Sequence, residues 1–93
     1  MSDESTESNR FESIQLGLTV ISELEEYVDD ENYYLQLEQA RTYVAEASRH
    51  IENAGFERSF SKAMGYASSV AVANGHDDLA ADALKLGGDE NEQ

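Results

Sequence analysis

The chain contains no proline, the residue that most often interrupts a helix. Glycine stands between its helical segments instead, at Gly55, Gly75 and the pair Gly87-Gly88. Glycine commonly ends helices by adopting a left-handed backbone conformation. Together with the helical period of the apolar residues, these glycines predict four helices, at about residues 10–28, 30–54, 57–74 and 78–86.

Apolar residues in the second segment recur at alternating spacings of four and three residues, which is a helical period. Such a pattern predicts a seam that packs along a partner helix. The seam consists of Tyr33, Leu37, Ala40, Val44, Ala47, Ile51 and Ala54. Asp29, Asp30 and Glu31 precede it, where negative charge favours the positive end of the helix dipole.

The remaining segments also place apolar residues on one face. In the first segment these are Phe11, Ile14, Leu18, Ile21, Leu24 and Val28; in the third, Phe60, Ala63, Met64, Ala67, Val70 and Ala71; in the fourth, Leu79, Ala83 and Leu86. Asp77 is a candidate N-cap for the fourth helix, and no segment shows the alternation of a strand. We therefore predict an all-α fold, a small helical bundle of three main helices and a short fourth.

The two ends of the chain are rich in Ser, Asp, Glu and Asn and lack apolar anchors. We expect disordered acidic tails at residues 1–9 and 88–93, flanking a single domain at 10–87. The first helix has a broader apolar stripe than a small bundle covers, because Leu16, Val20 and Tyr27 widen it. This surplus predicts a homodimer formed through the first helix.

The formal net charge is −14, from 20 Asp and Glu against 6 Lys and Arg. A field of this sign repels phosphate backbones and anionic lipids, so neither nucleic acid nor a membrane surface is an expected partner. Molar salt shortens the screening length to about 3 Å and removes most of the self-repulsion. The composition resembles that of halophilic archaea, which accumulate salt in the cytoplasm. With no membrane-spanning run and no signal peptide, a salt-adapted cytoplasmic protein is predicted, and an ordinary acidic mesophilic protein is the alternative interpretation.

No combination of side chains amounts to a catalytic or metal site. Cysteine is absent, which excludes thiolate chemistry. Glu46 and His50 are four residues apart on the flank of the second helix, where an exposed contact is expected, and Glu23 with Glu26 lacks a second ligand set. His76 follows a glycine without a nucleophile or second base nearby in the pattern. We predict a non-enzymatic protein without metal or cofactor.

Five tyrosines are present, and two of them lie beside the seam of the second helix. Tyr34 and Tyr43 are candidates for an interaction surface, since a ring with a polar tip suits an interface. Partly buried tyrosines at the edge of the core, with no ligand, are the alternative interpretation. The sequence thus predicts a helical protein-interaction module that binds a protein partner and itself. The second candidate is a regulatory module that binds a small cationic or aromatic ligand in a tyrosine-flanked groove.

The stretch at 37–67 reads Leu-Glu-Gln-Ala-Arg-Thr-Tyr-Val-Ala-Glu-Ala and, after the glycine turn, Gly-Phe-Glu-Arg-Ser-Phe-Ser-Lys-Ala-Met-Gly-Tyr-Ala. This pattern resembles a small archaeal family of short helical bundles, domain of unknown function 357. The resemblance covers about a third of the chain. It implies an archaeal source, in agreement with the charge, and brings no catalytic residues.

Overall fold

The computed structural model describes the backbone of residues 2–87 and the side chains of residues 9–87. In this range the chain forms four helices and no strand, which confirms the all-α prediction. The helices are α1 (Ser2–Tyr27), α2 (Glu31–Arg49), α3 (Gly55–Ala73) and α4 (Asp77–Leu86). The tail expected at 88–93 lies outside the described residues.

Two helix boundaries differ from the sequence prediction by more than two residues. α1 begins at Ser2, so the backbone at 2–9 is helical where a disordered tail was expected. Acidic residues near a helix start favour the dipole, and no proline prevents extension. α2 ends at Arg49, short of the predicted residue 54, because the backbone turns at 50–54 and Asn53 accepts a 2.8 Å hydrogen bond from the Gly55 amide.

Successive helices run antiparallel and form an up-down-up-down bundle. Arg10 near the start of α1 lies beside the end of α2, whereas Glu25 near the end of α1 contacts Arg41. α1 packs against α2, α4 and, diagonally, α3, while α2 and α4 do not touch within residues 2–87. The molecule is therefore built around the α1–α3 diagonal, with α2 on one side and α4 on the other.

The largest side chains that are completely buried come from α1, α2 and α3, namely Ile21, Leu24, Leu37, Met64 and Val70. Seven buried alanines fill much of the remaining core, at Ala40, Ala47, Ala63, Ala67, Ala71, Ala80 and Ala83. Of the predicted seam, Leu37, Ala40, Val44 and Ala47 are buried. Tyr33 and Ile51 are only half-buried, and Ala54 is exposed because it lies beyond the end of α2.

The diagonal contact between α1 and α3 depends on Gly17. A Cβ at this position would lie 3.0 Å from the Met64 methyl carbon and 3.1 Å from the Phe60 ring. The missing side chain therefore allows the two helices to approach closely. The space at Gly17 lets the middle turns of α1 pack against the hairpin that α2 and α3 form.

Arg10, rather than the neighbouring Phe11, ties the first part of α1 to the hairpin. Its guanidinium donates hydrogen bonds to the carbonyl oxygens of Ile51, at 2.8 Å, and Asn53, at 3.3 Å, and lies 5.0 Å from the Phe56 ring centroid. Phe11, predicted to point inward, is 57 % exposed. The prediction for Phe11 was wrong because the stem and charge of Arg10 occupy the contact that an apolar ring was expected to make.

The turn between α3 and α4 contains the one residue of 2–87 in the left-handed region, Gly75, with φ of 80°. Beside it, the His76 amide donates to the Ala71 carbonyl at 2.8 Å, which closes α3. Gly55 is instead the first residue of α3, and Gly87 has φ of −72°. Asp77 is not the N-cap of α4; that position belongs to His76, whose side chain makes no capping hydrogen bond.

Candidate functional site

α3 differs from the rest of the chain in its lack of carboxylates. From Arg58 to His76 there is no Asp or Glu, although the whole chain contains 20. The outer surface of this stretch is nevertheless exposed, at Lys62, Gly65, Ser69 and other positions. The strongly negative surface of the molecule is therefore interrupted along one helix.

An aromatic groove lies between this helix and α2. The rings of Tyr43 and Tyr66 stack, with centroids 5.9 Å apart and an angle of 14° between their planes. The ammonium of Lys62 lies 5.6 Å from the Tyr43 centroid. The groove is open, has a volume of about 450 Å³ and is lined by Gln36, Tyr43, Lys62, Gly65, Tyr66 and Ser69.

Residues one turn away extend the groove into a larger surface. We use the name α2–α3 face for the six groove residues together with Gln39 and Val72. Val72 is 59 % exposed and Tyr66 37 % exposed, so apolar and aromatic area reaches solvent. Lys62 is the single charged residue among the eight. These eight residues are thus neutral apart from one positive charge, on a chain of net charge −14, and the half-buried Glu46 borders them one turn beyond Tyr43.

The structure separates the two tyrosines that the sequence marked as interaction candidates. Tyr34 and Tyr43 are nine residues apart, which places them about 180° apart around a helix of 3.6 residues per turn. Tyr43 faces α3, whereas Tyr34 lies on the flank where Arg41 contacts α1. The ring that accompanies Tyr43 is Tyr66. The acid-free run around Tyr66 is the sequence signal that would have pointed to it.

Arg41 forms the main ionic contact of the bundle, between α2 and α1. Its guanidinium donates two hydrogen bonds of 2.9 Å to the Glu25 carboxylate and one of 3.0 Å to the Ser22 hydroxyl. The hydrogen bonds from Arg41 to Glu25 raise the pKa of Arg41, and the charge of Glu25 adds to this against partial desolvation. The contact is half-buried and joins two helices, so its role is structural.

A second aromatic contact holds the α3–α4 turn against α1. The rings of Tyr27 and His76 stack at 4.5 Å with a 20° interplanar angle. A shallow pocket beside them, of about 270 Å³, is bordered by Glu23, Asp77 and Asp78. Within residues 9–87, however, no three Asp, Glu or His side chains are arranged to hold a metal ion.

The predicted contact between Glu46 and His50 is not formed in the described part of the chain. Neither side chain is hydrogen-bonded or ion-paired to the other, because α2 ends at Arg49 and His50 is its C-cap. His50 and His76 lie at opposite ends of the bundle, since one follows α2 and the other follows the antiparallel α3. The two histidines therefore cannot share one site.

A groove between α1 and α4 forms an apolar recess away from α2. It has a volume of about 360 Å³ and combines Leu16, Val20 and Leu86 with Thr19, Glu23, Asp82 and Lys85. Leu16 is 47 % exposed. Three of the seven groove residues are charged, in contrast to the α2–α3 face.

Among the described residues, no helix combines the length and apolar character needed to cross a membrane. No family model matches the chain, and neither a curated protein nor a solved structure is similar enough to count as a match.

Proposed function

We propose that this protein is a non-enzymatic helical protein-interaction module of a salt-adapted cytoplasm, and that the α2–α3 face is its binding surface. The observation that carries the proposal is the location of exposed Tyr66 and Val72 on a nearly neutral surface of a strongly acidic chain. Charged residues are depleted at the centres of protein interfaces, where aromatic residues are enriched.

Electrostatics favours this face over the others. Bringing a partner onto carboxylates removes water from charges, which is costly unless each charge is paired. Lys62 is the only charged residue of the α2–α3 face, and its ammonium already lies against the Tyr43 ring. A partner can therefore cover the face without burying an unpaired carboxylate from it.

The proposed salt-adapted location rests on the net charge of −14. Repulsion among the carboxylates opposes a compact fold in dilute salt and is screened at molar salt. The resemblance to domain of unknown function 357 agrees with an archaeal source and remains a prediction.

Affinity capture tests the proposal most directly. The tagged chain is returned to the cells that produce it and recovered at native salt, as wild type, as Tyr66→Ala and as Tyr34→Ala. Tyr34 is the matched control, since it is a partly exposed tyrosine on the opposite flank of α2. We expect wild type and Tyr34→Ala to retain a stoichiometric partner, which is either another protein or an untagged copy of the chain. Tyr66→Ala should lose this partner. Equal recovery by all three contradicts the assignment of the face.

The second candidate function is binding of a small cationic or aromatic ligand in the tyrosine groove. Its volume of about 450 Å³ favours this, because ligand pockets occupy about 300 to 1,000 Å³. Against it, the two rings stack on each other and leave no aromatic cage. Titration with tetramethylammonium and with indole, followed by the NMR signals of Tyr43 and Tyr66, separates the two functions. Saturable shifts that Tyr43→Ala abolishes favour the ligand-binding module.

A further inference from the structure

We propose that the partner of the α2–α3 face is a second copy of this chain, paired face to face and antiparallel about a two-fold axis near Ser69. This inference rests on the proposed function, because it names the occupant of the same surface.

Charge limits the ways in which two copies can meet. Each copy has a net charge of −14, so a close contact must avoid placing carboxylates of one copy against those of the other. On α1, the exposed Leu16 lies between the exposed carboxylates of Glu12 and Glu23. A two-fold contact on α1 with its axis between these two residues sets Glu12 of one copy against Glu23 of the other, whereas the single acid of α3, Glu57, lies at the very start of that helix.

The two ends of α3 carry opposite charges, which selects an antiparallel pairing. Arg58 and Lys62 are exposed near its start, and Asp77 and Asp78 are exposed just after its end. Ser69 lies midway between Lys62 and His76. A two-fold axis at Ser69 therefore sets the basic start of one helix beside the acidic end of the other, and symmetry repeats the contact.

Carboxylates on the neighbouring helix agree with this orientation. Asp29, Asp30 and Glu31 lie at the start of α2, beside the end of α3, so a parallel pair would gather the acids of both copies. At the opposite end, Arg49 adds a third positive charge, while Glu46 and Glu52 there leave that end far less negative than the end with Asp29, Asp30, Glu31, Asp77 and Asp78. Glu57 at that end is ion-paired with Arg10 at 3.6 Å, which reduces its repulsion of the approaching acids.

The shape of the face suits close contact between two copies of α3. A Cβ added to Gly65 would meet no atom within 4 Å, so the surface has a gap there. Ser61, Ser69 and Ala73 are also small and exposed, at intervals of four residues along the same side. Val72 and Tyr66 project beside them. The same surface thus supplies both the projecting side chains and the gaps that a second copy requires.

The first experiment uses the absence of cysteine from the chain. Ser69→Cys places a single thiol at the proposed axis, and Ser48→Cys places one at an exposed serine on α2, away from the face. Under mild oxidation at molar KCl and micromolar concentration, we expect Ser69→Cys to be converted to a covalent dimer. Ser48→Cys should remain mostly monomeric, because disulfides require the two Cα atoms to be within about 7 Å.

The second experiment measures the dimer by sedimentation equilibrium in molar KCl. Ser69→Glu would bring two introduced carboxylates together at the axis, so it is expected to raise the dimer Kd by about 100-fold or more. Ser48→Glu, the same substitution elsewhere, is expected to leave Kd unchanged. Circular dichroism of both variants checks that the helices remain folded.

Orientation is tested by charge reversal. Lys62→Glu should weaken the dimer about tenfold, and adding Asp77→Lys in the same chain should restore it. Restoration by Asp77→Lys is specific to an antiparallel pair, because only that arrangement brings positions 62 and 77 together.

Three results overturn the inference: a wild-type monomer at hundreds of micromolar, equal cross-linking of the two cysteine variants, or dissociation by Leu16→Glu with Ser69→Glu still dimeric. The last result assigns self-association to α1. A monomer that still captures a different protein through Tyr66 refutes the second copy as partner and leaves the proposed function standing. In another outcome, the dimer through Ser69 is intact while the wild type, Tyr34→Ala and Tyr66→Ala chains all capture the partner equally. That result supports the second copy as partner and contradicts the proposed role of Tyr66.

Discussion

The outer surfaces of α1 and of α3 both expose apolar side chains, yet they differ sharply in charge. α1 contains seven acidic residues and one basic residue, whereas α3 contains Glu57 as its single acid. Phe11 and Leu16 are exposed on α1, as Tyr66 and Val72 are on α3. Apolar exposure alone therefore does not distinguish α3 from α1. In the proposed dimer, the charges that surround an exposed apolar side chain decide whether a second copy can approach it.

The largest expected difference between the two helices concerns their glycines. Gly17→Val should destabilise the fold by about 1 to 3 kcal/mol, because the added atoms overlap Met64 and Phe60 in the α1–α3 contact. Gly65→Ala should stabilise it by about 0.5 to 1 kcal/mol, since the site is open and alanine favours helix. Urea unfolding at low protein concentration measures both. Equal changes in the free energy of unfolding for the two substitutions would contradict the close packing of α1 against α3 at Gly17.

The ion pair between α1 and α2 is expected to have the next largest effect. Arg41→Gln removes both hydrogen bonds to Glu25 and should lower stability by about 1 kcal/mol, a moderate value because the pair is partly in water. Arg49→Gln is the control, since Arg49 is exposed and makes no ion pair among the described side chains. Thermal unfolding of the two variants compares them. A Tm for Arg41→Gln equal to that of the control would show that Glu25 gains nothing from its partner.

Salt provides a test of the charge difference itself. The helical content of the wild type should increase from dilute buffer to molar KCl, because screening relieves repulsion among carboxylates. Replacing Glu12, Glu23 and Glu26 on α1 by Gln should flatten this dependence, whereas Lys62→Gln on α3 should not. Circular dichroism against salt concentration gives the result. Full helicity without salt in the wild type would refute the proposed salt adaptation.

The smallest expected effect is at the aromatic groove. Lys62→Met retains the side-chain stem but removes the ammonium above Tyr43, and should cost about 0.5 kcal/mol. Lys85→Met serves as a control on α4. A measurable loss for Lys62→Met alone would confirm that the lysine contributes to the order of the groove. If the two lysine variants unfold at the same urea concentration, the contact with Tyr43 has no energetic role.

The sequence was most informative where local chemistry determines the backbone. The limits of α3 and α4 were predicted to within two residues, since Gly75 is needed for the left-handed turn between them. The end of α2 was missed because the apolar spacing continues through Ile51 while the backbone already turns after His50. Hydrophobic period alone therefore does not locate a helix end. The cap and the turn hydrogen bonds decide it.

The candidate site was only half predicted. Tyr43 was selected as a residue beside the seam and lies in the groove, but Tyr34 faces the other flank of α2. Counting the helical angle between them would have separated the two. The pairing of Tyr43 with Tyr66 needed the register of α2 against α3, which depends on the length of the turn at 50–54 and on tertiary packing. The run without acids from Arg58 to His76 was visible in the sequence and marks the same helix.

The contact of α1 with α4 also has a consequence for how the chain is made. Leu16 and Val20 of α1 line one groove with Leu86 of α4, which is translated 66 to 70 residues later. α1 therefore leaves the ribosome before α4 exists, and this part of its docking depends on contacts distant in sequence, which form slowly. Because like charges repel, the acidic composition of α1 disfavours contact between nascent chains of the same kind while this groove is incomplete.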